Sequence, residues 1–229
     1  MKDEMIEKVE TFCSAQFADK KDFVLQDEYN YGHLPLCVID SVFSIGVKYE
    51  GVQNVIKRFC DYYKIDRFSK TNELTTTDIL VLIEQMSIIE LTEKVFKNRQ
   101  RTSTKNGILK SEGVVLFLKV LQKFKVEQFG DIEKIITNEQ FENEIKQIPG
   151  QKSGISLKYF FMLAGSDDLI KPDRMILRFL ENITGQKLSL NNCQLILTAV
   201  TERLKNKGFN ITAKKLDNLI WSYQRTLQN

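Results

Sequence analysis

The chain has 229 residues, with only three prolines, 11 glycines, four cysteines and one histidine, and its 42% hydrophobic and 28% charged residues are ordinary for a globular protein. That length suits one domain or two small joined ones, and a chain so poor in helix breakers leans helical. A single histidine excludes H-E-x-x-H proteases and three-histidine zinc sites within one chain.

Ile6, Val9, Phe12, Cys13 and Phe17 recur at helical spacing and predict an amphipathic helix beginning near Asp3. A loop follows through Gly32, and His33 in its turn-like end reads as a solvated loop histidine rather than a catalytic base. Pro35 opens an apolar stretch to Tyr49, at a first-turn position where proline forfeits no helical bond. Val52, Val55, Ile56, Phe59 and Tyr63 make one stripe over Gly51 to Lys64. Thr75, Thr76 and Thr77 offer caps for Asp78 to Met86, and Ile88 to Asn98 predicts another short helix. Lys110 to Phe124 carries Val114, Phe117, Leu118 and Leu121 on one side. Thr137 with Gln140 fits a capping box before a helix through Gln147. Ser153 to Leu163 is apolar with Gly165 as its cap, and Pro172 to Thr184 follows with Gly185 beyond its end. Ser189 caps a long helix that Gly208 ends, and Thr212 caps the last, where Leu216, Leu219, Ile220 and Tyr223 repeat. No alternating strand and no internal repeat stands out, so the expected class is all-α with about ten helices.

Charge is unevenly placed. Residues 1–30 are acidic through Asp3, Glu4, Glu7, Glu10, Asp19, Asp22, Asp27 and Glu28, a composition unlike a secretory signal. The most apolar run, Val114 to Leu121, is broken by Lys119 and too short to span a bilayer, so no membrane is expected. Cys13, Cys37, Cys60 and Cys193 form no C-x-x-C pair and read as reduced core thiols of a cytoplasmic protein, with neither disulfide nor metal cofactor. The stretch 94–125 is strongly basic, with Lys94, Lys97, Arg99, Arg101, Lys105, Lys110, Lys119, Lys123 and Lys125 against Glu112 as its one acid. A charge run alone reads as a solvated face. Here the loop Arg99 to Gly107 sets Thr102, Ser103, Thr104 and Asn106 among the bases, a donor set that suits phosphate oxygens.

The most informative region is Ile148-Pro149-Gly150-Gln151-Lys152-Ser153-Gly154, followed by Lys171-Pro172-Asp173-Arg174. It reads as helix, tight turn, helix, short loop, then an acid at a helix start. A glycine-rich turn between helices presents amides that can bind phosphate, with Lys152 and Ser153 beside them. An aspartate in a first helical turn favours its ionised form.

This order of features resembles the helix-hairpin-helix DNA glycosylase superfamily, typified by endonuclease III. Ile148-Pro149-Gly150 matches the start of that family's hairpin, and Pro172-Asp173 matches the segment that holds its catalytic aspartate. Leu36 to Ser44 looks like its early apolar helix ending in a Leu-Ser-Ala-Gln element, and Ile108 to Val115 looks like its Lys-Ala-Glu helix start. The resemblance covers about residues 34–185. It implies two closely packed helical subdomains, residues 34–147 and residues 1–33 with 148–229. Four departures stand out. Lys152 stands where the family has glycine, Gly154 occupies the position of its Schiff-base lysine, Gly46 occupies that of its wedge glutamine, and the four C-terminal cysteines of its iron–sulfur members are absent.

The resemblance implies a monomer that binds double-stranded DNA, in the nucleoid if the source is bacterial. It would turn a damaged or modified base out of the stack, cleave the base–sugar bond without a cofactor or β-lyase step, and leave an abasic site. Asp173 would be the catalytic acid. Pro149, Gly150, Gln151, Lys152, Ser153, Gly154, Arg99, Arg101, Lys105, Lys110, Ser44 and Gly46 would contact DNA. Two other readings stay open: a non-catalytic DNA-binding protein on the same scaffold, and a helical protein-interaction module. Trp221 reads as a packing anchor.

Overall fold

A computed structural model describes residues 2–25, 31–47, 49–69, 71–165 and 167–227. Asp27 and Glu28 of the acidic run lie outside the described residues, as does the side chain of Tyr49. The helices are α1 (Lys2–Gln16), α2 (Leu34–Phe43), α3 (Tyr49–Tyr63), α4 (Thr76–Ile83), α5 (Ile88–Glu90, continuing as a π turn over Leu91–Phe96), α6 (Lys110–Lys123), α7 (Glu139–Gln147), α8 (Ile155–Leu163), α9 (Arg174–Thr184), α10 (Leu190–Asn206) and α11 (Ala213–Thr226). Among the described residues the protein is all-α, and the only extended pairing is one isolated bridge between Arg101 and Leu109.

The chain divides into two compact units: a central one over Asp27–Gly165 and a split one built from Met1–Gln26 and Ser166–Asn229. This corrects the expected division, which had set the hairpin and α8 with the C-terminal helices. The reason is α8 itself, which packs on α2 and buries Leu157, Phe160, Phe161 and Leu163.

The central unit is organised by α2. Its ten residues are all buried, which is what an all-round apolar helix requires, and α3, α4, α6 and α8 pack on it. Phe96 of the π turn joins Phe43 and Phe59 at ring separations of 4.9 and 5.5 Å. Thr75 caps α4 in a reciprocal box with Asp78, and the two bonds from Thr75 hold the Asp78 carboxyl below its usual range. The expected box at Thr137 gives way to Asn138, whose side chain accepts the Phe141 amide at 3.0 Å. His33 is not a solvated loop residue. It is buried, its Nδ1 accepts the Leu74 amide at 3.0 Å and its Nε2 donates to the Asp66 carbonyl at 2.9 Å. Those two bonds pin the loop before α4 to the start of α2 and leave no ring nitrogen for proton transfer.

In the split unit α1 packs on α9 and α10, and α11 packs on the same two helices. Val9, Cys13, Phe179, Leu197, Val200, Leu216 and Ile220 fill its core. Glu10 of α1 accepts from Lys207 first and Arg203 second, and these cations hold its carboxyl below the usual range. Ser189 and Thr212 cap α10 and α11 as their positions predict. All four cysteines are buried thiols, and burial pushes Cys13 and Cys60 to about 12. Trp221 is half-buried, with the Arg225 guanidinium 4.7 Å from its ring centre. No described helix is long and apolar enough to cross a membrane.

Candidate functional site

Three segments named from the sequence meet in the central unit. Ser44 to Gly46 closes α2 as a turn, with Gly46 exposed at φ +69°. The loop 97–109 is folded on itself. Thr102 N donates to Ile108 O at 2.9 Å, Arg101 Nη1 donates to Gly107 O at 2.7 Å, and a Cβ on Gly107 would lie 2.3 Å from the Ser103 carbonyl oxygen. The hairpin 148–154 turns between α7 and α8, with Gly150 at φ +88° and Gly154 at φ +72°. These are left-handed conformations that glycine adopts without penalty.

Two contacts hold the segments together. A Cβ on Gly150 would lie 2.5 Å from Thr102 Cβ, so the hairpin tip rests directly on the basic loop and only glycine fits. Lys110 makes the second contact. It was expected on the DNA surface, but its side chain is 1% exposed and donates inward, to Phe43 O at 2.8 Å, Ile45 O at 2.7 Å and Gln100 Oε1 at 3.4 Å. A lysine at the start of α6 thus ties the end of α2 to the basic loop. It is a structural cation, because desolvating an ammonium is tolerable only where carbonyls replace its water.

The remaining expected contacts, and the other cations of the basic stretch, divide by what they have available. Arg99 is paired with Glu93, Lys94 with Glu90, Lys119 with Glu84 and Lys123 with Glu144. Arg101, Lys105 and Lys152 are exposed and make no ion pair among the described residues. At the hairpin, the Gly150, Lys152 and Ser153 amides make no hydrogen bond among the described residues. Pro149 and Ser153 are exposed beside them. Gln151 is a correction: its amide is spent on Ile148 O at 2.9 Å and its carbonyl on Gly154 N at 3.0 Å. Its side chain is 1% exposed, with neither polar atom partnered. Gly154 is buried at the head of α8. Ser44 is committed to Asp40, whose buried carboxylate also accepts from Tyr31 at 2.8 Å. The cluster that can meet an anion is therefore Arg101, Lys105, Lys152, Ser153 and the hairpin amides.

Asp173 lies in the split unit as the N-cap of α9. Its Oδ1 accepts from Met175 N at 2.8 Å and Ile176 N at 3.3 Å. The segment carrying it is tied down by helices that follow. Gln194 of α10 accepts from Ile170 N and donates to Asp168 O, and Asp217 of α11 accepts from Lys171 N at 3.0 Å. Sequence reasoning missed Asp217. Its one signal was position, since an acid three residues before Ile220 and four after Ala213 falls on the buried face of α11. Burial pushes the Asp217 carboxyl well above the usual range, and the Asp173 charge pushes it further. Among the described residues no group of histidine, cysteine and acidic side chains is placed to hold a metal ion.

No curated protein and no solved structure matches the chain. A family model described as a domain of unknown function, DUF8548, matches residues 7–225, and the chain belongs to that family.

Proposed function

We propose that the protein binds DNA through the central unit's hairpin cluster and hydrolyses a base–sugar bond with Asp173, as a monofunctional DNA glycosylase. One observation carries this reading. Three segments far apart in sequence, each singled out for DNA contact, are locked together by Gly150 against Thr102 and by Lys110. A solvated charge run has no need of such bracing. Phosphate oxygens would take the hairpin amides and Ser153, and the exposed cations would add salt-dependent attraction.

Chemistry then falls to Asp173. The target base leaves the stack at a cost of a few kcal/mol. The C1′–N bond breaks with its electron pair departing on the base, and positive charge builds on the sugar. The carboxylate stabilises that charge, and water adds at C1′ with loss of a proton. Gly154, at φ +72° with Lys146 Cε 3.3 Å from a built Cβ, is a poor place for a nucleophilic lysine, which favours simple hydrolysis.

The test is base release from duplexes carrying uracil, alkylated purines, oxidised bases or modified cytosines. Asp173→Asn keeps an equally good helix cap, so the fold survives, and kcat should fall roughly 10²–10³-fold. A variant as fast as wild type sinks the assignment. One observation favours a second reading, the non-catalytic DNA binder: Oδ1 of Asp173 is already engaged by two amides. Salt-dependent binding without release of any base would select it.

A further inference from the structure

Segment 167–173 is held by four bonds from α10 and α11. Lys214 N donates to Asp167 O at 3.1 Å, Gln194 Nε2 donates to Asp168 O at 2.9 Å, Gln194 Oε1 accepts from Ile170 N at 3.1 Å, and Asp217 Oδ1 accepts from Lys171 N at 3.0 Å. The Lys171 carbonyl then accepts from Asp173 N at 2.6 Å. Asp217 therefore reaches the backbone of Asp173 through a single residue. Holding the segment needs only a neutral amide, as Gln194 demonstrates from α10. A carboxyl does the same task at a desolvation cost, and it does so beside another carboxylate.

We propose that Asp217 is a positioning residue for Asp173: it fixes the Asp173 backbone through Lys171 and does so as a neutral acid, so that the pair carries one negative charge. This rests on the reading of Asp173 as the catalytic carboxylate. The charged groups that act on Asp217 are Asp173 at the head of α9 and Lys171 in the segment before it. Lys214, one turn earlier in α11, is also buried. From α10 the contact to the segment is the uncharged Gln194. Desolvation and the Asp173 charge outweigh the Lys171 amide and ammonium, which pull the other way. When the proton leaves at higher pH, a second buried charge appears against the first, and the segment loosens around Asp173.

A free aspartate titrates near 3.9. The folded protein binds the Asp217 proton more tightly than the unfolded chain does. Stability from this group is therefore full below that value and is lost as pH rises through the window up to the raised folded one. Asp217→Asn keeps an acceptor for Lys171 N and removes the ionisation.

The experiment measures melting temperature from pH 4 to 8, and kcat and KM for base release over the same range, in wild type and Asp217→Asn. The variant should melt about 3 °C above wild type at pH 7, with the gap closing toward pH 4. Taking the difference cancels the opposite titration of Glu10. In base release, the alkaline fall in kcat should move to higher pH in the variant while KM for DNA stays the same. An Asp173→Asn background should narrow the gap, since the repelling charge is gone. A variant that melts lower than wild type by a constant amount at every pH overturns the proposal. A gap that opens as expected while neither protein releases any base upholds the acid pair and overturns the glycosylase reading. If Asp217→Asn fails to fold, Asp173→Asn alone decides: it must lessen the fall in melting temperature between pH 5 and 8, and an unchanged fall overturns the pair.

Discussion

The hairpin cluster and the Asp173 segment are both loops stiffened from below by a buried ionisable side chain, and the two side chains are treated oppositely. Lys110 has two carbonyl oxygens and an amide oxygen within reach. Asp217 accepts one backbone amide, and burial and the Asp173 charge oppose its ionisation more than Lys171 favours it. The central unit thus satisfies Lys110 as an ion, and the split unit opposes the ionisation of Asp217. The same kind of substitution, replacing a buried ionisable side chain by a neutral one of similar size, should therefore have opposite signs in the two units.

The largest effect tests the satisfied side. Lys110→Met leaves the Phe43 and Ile45 carbonyls without their donor and should cost about 3–5 kcal/mol in urea unfolding, given roughly 1.5–3 kcal/mol for each hydrogen bond to a charged group. A stable Lys110→Met would break the comparison. Next is Gly150→Ala, which adds a methyl 2.5 Å from Thr102 Cβ at φ +88°. It should cost about 2–3 kcal/mol, and Thr102→Ala in the same chain should restore little of that, because alanine keeps the Cβ that the new methyl meets. The smallest effect on stability comes from the surface. Replacing Lys105 and Lys152 by glutamine should leave unfolding within about 0.5 kcal/mol of wild type. It should also lower the salt dependence of DNA binding by about one unit of slope for each phosphate no longer neutralised. An unchanged slope places these cations away from DNA.

How much of this was legible beforehand follows from the range of each interaction. Ser189, Thr75 and Thr212 were readable as caps because the bond they make spans only three residues. Asn138 displaced Thr137 by one position, the usual margin of boundary reading. The all-α class was readable from periodicity alone. Lys110 was misassigned because a lysine in a basic stretch gives no hint that carbonyls from 65 and 67 positions upstream will surround it. The hairpin glycine was readable as a turn, but its packing against Thr102 was not, since nothing local in either segment names the other. His33 misled in the same way: its partners, Asp66 and Leu74, sit 33 and 41 residues away. Asp217 was hidden by a helix whose last turns look polar, and its environment exists only once α10, α11 and the Asp173 segment have met.

The split unit has a consequence in time as well as in space. Its first helix is made early, with Met5, Ile6, Val9 and Cys13 on one face, and the partners that cover that face are α9 and α10. During synthesis, at about 5–20 residues per second, α1 waits roughly 10–40 s for α10 to emerge. The contiguous central unit can complete its core in the meantime. A nascent chain therefore carries a finished hairpin cluster before it has a place to hold Asp173, and the stripe of α1 stays uncovered for a chaperone to meet until α9 and α10 arrive.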